Sequence, residues 1–202
     1  MPRPRSLTTG QIADAALAVL DRDGLAGLSM RTVARELGMG TMSLYRYVAD
    51  REQLEALVVD RVLAGVDARV PRGSARRRLA TLAERVRATV GEHPAVTPLL
   101  LANRHRSPGS LRWGETVLGV LADAGITGGR RVIAFRAVLA YVFGALEVHH
   151  FAPLSGAGTA ALAGLPAGEF PLLAETASHA GGVGPGDEFR RGFDILLAGL
   201  EL

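Results

Sequence analysis

The chain of 202 residues contains neither cysteine nor lysine, and only 5% of its residues are aromatic. Without cysteine it has no disulfide framework and no thiolate metal site, which fits a reducing cytoplasm. Residues that favour strands are few, so we expect an all-α fold. All 23 basic residues are arginine, whose planar guanidinium suits phosphate and guanine recognition. A GC-rich coding sequence is the simpler explanation of the same bias.

Two further kinds of segment are missing from the sequence. We find no apolar run long enough to span a bilayer and no signal-peptide core at the start, so we expect a cytoplasmic protein without a membrane partner. A nucleophile elbow, a phosphate-binding loop and a dinucleotide fingerprint are also missing. These absences argue against an enzyme, and we expect no cofactor.

The most informative stretch covers residues 28–51, LSMRTVARELGMGTMSLYRYVADR. Ser29 can cap a first short helix, in which Val33 and Leu37 share one face because they lie four residues apart. Gly38 follows, and glycine can end a helix in a left-handed conformation without a steric penalty. The pattern predicts two short helices joined by a tight turn.

The second helix of this stretch has an unusual outer face. Thr41 is its expected N-cap, and Leu44 and Val48 form the inward pair. A solvated helix usually carries Glu, Lys and Gln outside, yet no acid occurs between Met39 and Ala49. Small hydroxyls, tyrosines and an arginine can bond phosphate oxygens and base edges instead. The spacing also suits an ordinary helical hairpin, but the outer face favours a DNA-binding helix-turn-helix.

The run from Gly38 to Val48, followed by Arg51 and Leu54, resembles the TetR family of bacterial transcriptional repressors. The resemblance rests on an LY-x-[HY]-[FV] core with a basic residue and a leucine soon after it. The family often has His where this chain has Tyr47, and Lys where it has Arg51. Both changes keep a polar or basic group that can contact phosphate, and the signature covers about the first quarter of the chain.

The resemblance implies an all-α protein of two parts: an N-terminal three-helix helix-turn-helix domain, and a C-terminal helical domain for ligand binding and dimerisation. We expect the DNA-binding domain at 1–50, a connecting helix at 51–70 and the effector-binding and dimerisation domain at 71–202. Two recognition helices would read a palindromic operator on double-stranded DNA. Met42 and Tyr45 would meet bases, Thr41, Ser43, Tyr47 and Arg51 would mainly hold phosphates, and Arg31 and Arg46 could reach either.

Local signals place the remaining helices. Thr8 with Gln11 forms a capping box for a helix that runs to Gly24, and Asp50 with Gln53 caps one that ends near Val70–Pro71. The segment 152–186 reads as loose backbone with a helical fragment around 170–177. Further helices are expected over Ser74–His93, Pro94–Asn103, Leu111–Gly125, Arg130–Phe151 and Asp187–Leu202, with a polar loop over Arg104–Ser110.

Two of these helices are expected to form a homodimer. The helix over 130–151 is apolar on most sides, so it is either buried all round or shared with a partner. In the TetR family this helix and the last helix pair with their copies in a second subunit, which predicts a homodimer through the 130–151 and 187–202 helices. Phe193 and Leu197, on the apolar stripe of the last helix, are expected in that interface.

The resemblance also implies a small-molecule effector pocket in the C-terminal domain. Trp113, Tyr141, Glu147 and His150 are the candidate contacts, although an aromatic residue in such a domain is more often simple core than a binding surface. Glu147 and His150 lie three residues apart and could supply two metal ligands, but the sequence fixes no further ligand beside them. We therefore expect no metal site.

Three alternatives stay open from the sequence. An all-helical small-molecule carrier or enzyme could contain an incidental helical hairpin, and a gel shift would distinguish it from a DNA-binding protein. An activator cannot be separated from a repressor. The N-terminal PRPR arm reads more readily as a disordered tail, but Arg3 or Arg5 could also enter a minor groove.

Overall fold

The computed structural model describes residues 7–200, and the regular elements within that range are all helices, which confirms the all-α prediction. The predicted arm with Arg3 and Arg5 lies outside the described residues. Short 3₁₀ turns occur at Pro94–Val96 and Arg104–Arg106. The α-helices are α1 Thr9–Gly27, α2 Met30–Glu36, α3 Thr41–Leu44, α4 Arg51–Leu63, α5 Ala75–Gly91, α6 Thr97–Asn103, α7 Pro108–Asp123, α8 Gly128–Phe151, α9 Ala157–Ala163, α10 Pro171–Ala180 and α11 Pro185–Gly199.

The chain divides into two compact units. The first comprises Met1–Arg69 and Arg85–Thr116, and the second comprises Val70–Glu84 and Val117–Leu202. The first unit therefore contains the helix-turn-helix stretch together with α6 and the start of α7. Because compactness alone assigns no function, the division at residues 50 and 70 remains a prediction.

In the first unit, α1 packs against α4 through fully buried side chains that include Ile12 and Leu54. The capping box of Thr8 and Gln11 is present, which confirms the predicted start of α1. Arg61 on α4 also pairs with Asp14 on α1. The backbone of α1 is left-handed at Gly24, where the predicted helix ends and a last turn continues to Gly27.

The predicted end of α4 near Val70–Pro71 is wrong, because the helix stops at Leu63. The amide of Gly65 donates to the carbonyl of Val62, and the amide of Val66 donates to that of Leu63. This tight turn returns the side chain of Val66 to the interior. The helix therefore ends where burial of the next apolar residue requires the chain to change direction.

The polar loop predicted over 104–110 is only partly correct. Arg104–Arg106 forms a 3₁₀ turn, and α7 already begins at Pro108. The hydroxyl of Ser107 accepts the amide hydrogen of Ser110 at 3.2 Å, as an N-cap residue does, and proline suits the first position of a helix. These two local signals could have located the start of α7.

The segment 152–186 is more ordered than predicted. Helices α9 and α10 pack against each other, and α10 buries Ala174 and Ala177. Small side chains allow two helix backbones to approach closely without a large apolar stripe, so the usual hydrophobic pattern is weak here. The fragment predicted around 170–177 is confirmed by α10, whereas α9 was not predicted, for that reason.

In the second unit, α8 packs against α11 through an aromatic cluster. The ring of Tyr141 lies 5.6 Å from that of Phe189 and 5.4 Å from that of Phe193, measured between centroids. Phe193 and Leu197 are buried within this single chain, so their apolar stripe is not the outer face of α11. The expectation that these two side chains form the dimer interface is therefore wrong, and Ile195 is the large apolar side chain that α11 exposes.

The Tyr141 hydroxyl lies beside Gly192, in the space that any larger side chain would fill. This contact gives a prediction about stability. A Cβ atom at position 192 would lie 2.2 Å from the hydroxyl oxygen, which donates to the carbonyl of Phe189 at 2.8 Å. We expect Gly192→Ala to lower the free energy of unfolding by about 1–3 kcal/mol, because Tyr141 must leave its position. Thermal unfolding measures the loss. Gly199→Ala, where a Cβ meets nothing within 4 Å, is the control, and equal melting temperatures would contradict the assignment.

The length and apolar composition of helix α8 differ from what we expected from the sequence. It has 24 residues with a mean hydropathy of 1.6 over its most apolar window, so by length and composition it could cross a bilayer. The expectation that no segment is long enough is therefore wrong. Only 28% of that window is buried, so much of the helix surface is uncovered in one chain. Arg136 and Glu147 interrupt its apolar sequence.

Candidate nucleic-acid interface

The first helix of the motif, α2, is fixed by reciprocal capping. The hydroxyl of Ser29 accepts the amide hydrogen of Thr32 at 3.1 Å, and the Thr32 hydroxyl accepts that of Ser29 at 3.0 Å. Val33 is fully buried and Leu37 is half-buried on the inward face. Gly38 follows with φ of 67°, the left-handed value that glycine adopts without strain. The predicted cap, inward face and turn are confirmed.

The second helix of the motif, α3, is shorter than expected. Only Thr41–Leu44 is α-helical, and a tight turn continues through Tyr47. The N-cap is Gly40, not Thr41, because Gly40 has the extended backbone and its carbonyl accepts the amide hydrogens of Ser43 and Leu44. Thr41 is already helical, so its side chain is not used as a cap. Leu44 and Val48 are fully buried, which confirms the inward pair.

The outward side of α3 presents the predicted recognition residues. Met42 is 80% exposed and Tyr45 is 47% exposed, one helical turn apart. A methionine this exposed packs little within the chain, and its flexible side chain suits contact with another surface. None of the eight predicted DNA contacts is buried: five are exposed and three are of intermediate exposure. Arg31, Met42, Tyr45, Arg46 and Arg51 are exposed, and Thr41, Ser43 and Tyr47 are intermediate.

Arg51 has a role that the sequence analysis missed. Its Nε donates to the Glu55 carboxylate at 2.8 Å, and its Nη2 donates to the carbonyl of Leu25 at 3.3 Å. The first bond follows from the four-residue spacing on α4, whereas the second joins α4 to the end of α1. A guanidinium has five N–H donors, so these bonds leave donors for a phosphate oxygen.

We predict that Arg51→Ala weakens binding to all DNA sequences similarly and lowers the salt dependence by roughly one unit of slope. The reason is the loss of one phosphate contact that carries no sequence information. Binding titrations over a range of salt concentrations measure the slope. Glu55→Gln is the control, because it removes the intramolecular ion pair and keeps the arginine. A changed preference at a single base pair would instead make Arg51 a base reader.

The effector candidates occupy different environments. Trp113 is buried in the first unit, whereas Tyr141, Glu147 and His150 all lie on α8 in the second unit. Burial and the nearby Glu188 carboxylate raise the pKa of Tyr141, and its hydroxyl donates to the carbonyl of Phe189.

At the end of α8, Glu147 is half-buried and His150 is exposed, with its ring 4.7 Å from that of Phe151. No group of three His, Asp or Glu side chains suited to a metal occurs in the described residues. The four effector contacts remain predictions.

A helix-turn-helix that buries Leu44 and Val48 and exposes Met42 and Tyr45 defines a DNA-binding regulator with an additional helical unit. Residues 12–56 match the family described as bacterial regulatory proteins, tetR family. Residues 68–202 match the family described as tetracyclin repressor-like, C-terminal domain. The chain therefore belongs to the TetR family of transcription regulators.

Two curated regulators are similar to this chain in sequence. The HTH-type transcriptional repressor DrrR1 of Streptomyces coeruleorubidus is 38% identical over 149 residues, which cover 71% of this chain and 54% of that protein. The chain thus spans about half the length of this relative. An HTH-type transcriptional regulator of Saccharopolyspora erythraea is 32% identical over 201 residues, covering 96% of this chain and 84% of the relative.

Solved structures from Streptomyces coelicolor show the same fold. A possible TetR family transcriptional regulator has a TM-score of 0.86 at 27% identity and covers 96% of this chain and 98% of its own. ActR in complex with actinorhodin has a TM-score of 0.82 at 26% identity and covers 98% of this chain and 96% of its own. ActR has also been solved in complex with (S)-DNPA.

Proposed function

We propose that this protein is a homodimeric repressor that binds a palindromic operator and leaves it when a small-molecule effector binds the C-terminal domain. The observation that carries the proposal is the outward face of α3, where Met42 and Tyr45 are exposed while Leu44 and Val48 anchor the helix from behind. Met42 and Tyr45 read bases, and the hydroxyls of Thr41, Ser43 and Tyr47 hold phosphates.

The outer faces of α8 and α11 support the homodimer. Ile133 is 69% exposed and Ile195 is 77% exposed, and Val132 and Phe151 are exposed on α8 as well. A soluble protein rarely leaves several large apolar side chains uncovered on neighbouring helices. A second copy that contributes the same two helices covers them, and a two-fold dimer prefers a two-fold operator.

The effector proposal rests on the match over residues 68–202 and on the ligand complexes of ActR. Tyr141, Glu147 and His150 in the second unit, and separately Trp113 in the first, are the candidate contacts. An effector releases the protein from the operator only when it binds the DNA-free conformation more tightly than the DNA-bound one. The switch therefore depends on the difference between these two affinities.

The proposal can be tested without knowledge of the operator. Double-stranded DNA is selected from a random-sequence library with the purified protein, and gel shifts are then repeated with increasing actinorhodin, the ligand of ActR. A selected palindrome that is released by actinorhodin supports both parts of the proposal. Sequence-independent binding would contradict operator recognition, and a carrier would select no DNA at all. A promoter–reporter fusion in cells distinguishes repression from activation.

A further inference from the structure

The 3₁₀ turn Arg104–Arg106, between α6 and α7, consists of basic residues only. It lies within residues 93–114, a stretch that contains no Asp or Glu. The side chains of His105 and Arg106 are exposed. Like charges within one turn repel each other, so this exposed turn is electrostatically suited to an anionic partner.

Contacts to helix α4 hold this turn in place within the first unit. Directly after the turn, the hydroxyl of the buried Ser107 donates to Asp60 Oδ1 at 2.8 Å. Closer to the start of the same helix, Arg106 Nη2 lies 2.7 Å from the Glu52 carboxylate. Asp60 and Glu52 are about 12 Å apart along the axis, at a rise of 1.5 Å per residue. The guanidinium of Arg106 is therefore held near the start of α4, the end that follows the recognition helix.

The start of α4 is a surface that the proposed function places against DNA. Arg51, the proposed phosphate contact, directly precedes Glu52. Both members of the Arg106–Glu52 pair are exposed, Arg106 by 43% and Glu52 by 64% of the side chain. Such a pair adds little to stability, because water already solvates both charges. A guanidinium presents five N–H donors in one plane, so Arg106 can meet Glu52 on one edge and a phosphate on another.

We propose that Arg106 is an accessory contact to the DNA backbone, which binds a phosphate beyond those held by the helix-turn-helix while Glu52 orients its guanidinium. The inference rests on the proposed function, because it requires DNA at the start of α4. The ligand is a phosphate diester of double-stranded DNA. A phosphate contact carries no sequence information, so it raises affinity for every sequence and leaves base preference to α3.

The test separates a phosphate contact from simple neutralisation of Glu52. Arg106→Ala alone does not separate them, because it also leaves the Glu52 carboxylate unpaired near the DNA. The double variant Arg106→Ala with Glu52→Gln removes both charges, so a shielding role predicts the wild-type salt slope on the selected operator. We expect the double variant instead to lose roughly one unit of slope and about tenfold in affinity at 0.1 M salt, with unchanged base preference. Glu52→Gln alone keeps an acceptor oxygen and the arginine, and should bind at least as tightly as the wild type.

Methylphosphonate substitution of the operator locates the contact. Each phosphate is replaced in turn by a neutral methylphosphonate, which weakens binding wherever a protein cation meets that phosphate. We expect at least one position in each half-site that weakens the wild type and the Glu52→Gln protein but has no effect on the double variant. The absence of such a position, or a double variant with the wild-type salt slope, would overturn the inference.

Arg69→Ala is the matched control, because Arg69 also forms an exposed pair, with Asp67 at 2.9 Å, and belongs to the same unit. It follows the opposite end of α4, which is about 20 Å from the start, well beyond a Debye length of about 8 Å. Arg69→Ala should keep the wild-type slope, and an equal loss in both proteins would reduce the effect to net charge and overturn the inference. A wild-type protein that selects no DNA would overturn the proposed function as well, so the two failures are distinguishable.

Discussion

Ile195→Glu is expected to convert the protein to monomers and to lower its operator affinity by about a hundredfold or more. Ile195 is 77% exposed on α11, opposite the buried side chains of Phe193 and Leu197. In a two-fold interface a single substitution introduces two charges, and each carboxylate would lose its hydration without gaining a partner. Light scattering measures the dimer, and a gel shift on the selected operator measures affinity.

Leu172→Glu is the control for this prediction, because Leu172 is 76% exposed on α10, outside the proposed interface. It should remain dimeric and bind the operator. Leu197→Glu is expected to behave differently from both, since Leu197 is fully buried within its own chain and a charge there would prevent folding. A dimeric Ile195→Glu protein would remove the outer face of α11 from the interface.

Tyr45→Ala is expected to abolish most operator binding and leave the rest of the molecule intact. Tyr45 is half-exposed on the outward side of the motif, so its truncation removes little core packing, and alanine readily adopts the αR backbone conformation of this C-cap position. A lost base contact costs on the order of 1–3 kcal/mol, or roughly tenfold to a hundredfold in affinity. Thermal melting, light scattering and a gel shift on one preparation provide the measurements.

Leu44→Ala serves as the opposing control for Tyr45→Ala. Leu44 is fully buried at the end of α3, directly before Tyr45, so its truncation should lower the melting temperature by leaving a cavity. Actinorhodin titration of the Tyr45→Ala protein should match that of the wild type, because the proposed effector site lies in other helices. A large fall in the melting temperature of Tyr45→Ala would show that the two faces of α3 have been assigned wrongly.

The features that were predictable from the sequence are local ones. The capping box of Thr8 and Gln11, the cap at Ser29 and the left-handed Gly38 all depend on residues within a few positions of one another. The inward pair of Leu44 and Val48 follows from helical spacing in the same way. Such features are encoded by short-range sterics and hydrogen bonding, so a single sequence is sufficient to find them.

The features that escaped prediction depend on distant parts of the chain. Asp60 and Ser107 are 47 residues apart, and no periodicity brings them together. The end of α4 is set by burial of Val66, and the inner face of α11 is set by its packing on Tyr141. Amphipathic spacing identified an apolar stripe on α11 correctly, but it could not say whether the chain itself or a second copy covers that stripe.

The uncovered apolar faces of α8 and α11 have a consequence for how the protein responds to its own abundance. In the proposed dimer each copy supplies one recognition helix, so a lone copy reads only half an operator. When the protein is scarce, the concentration of dimers rises with the square of the total concentration, by mass action. Operator occupancy then changes more steeply than protein level, so modest changes in synthesis or dilution at cell division would switch the regulated promoter over a narrow range.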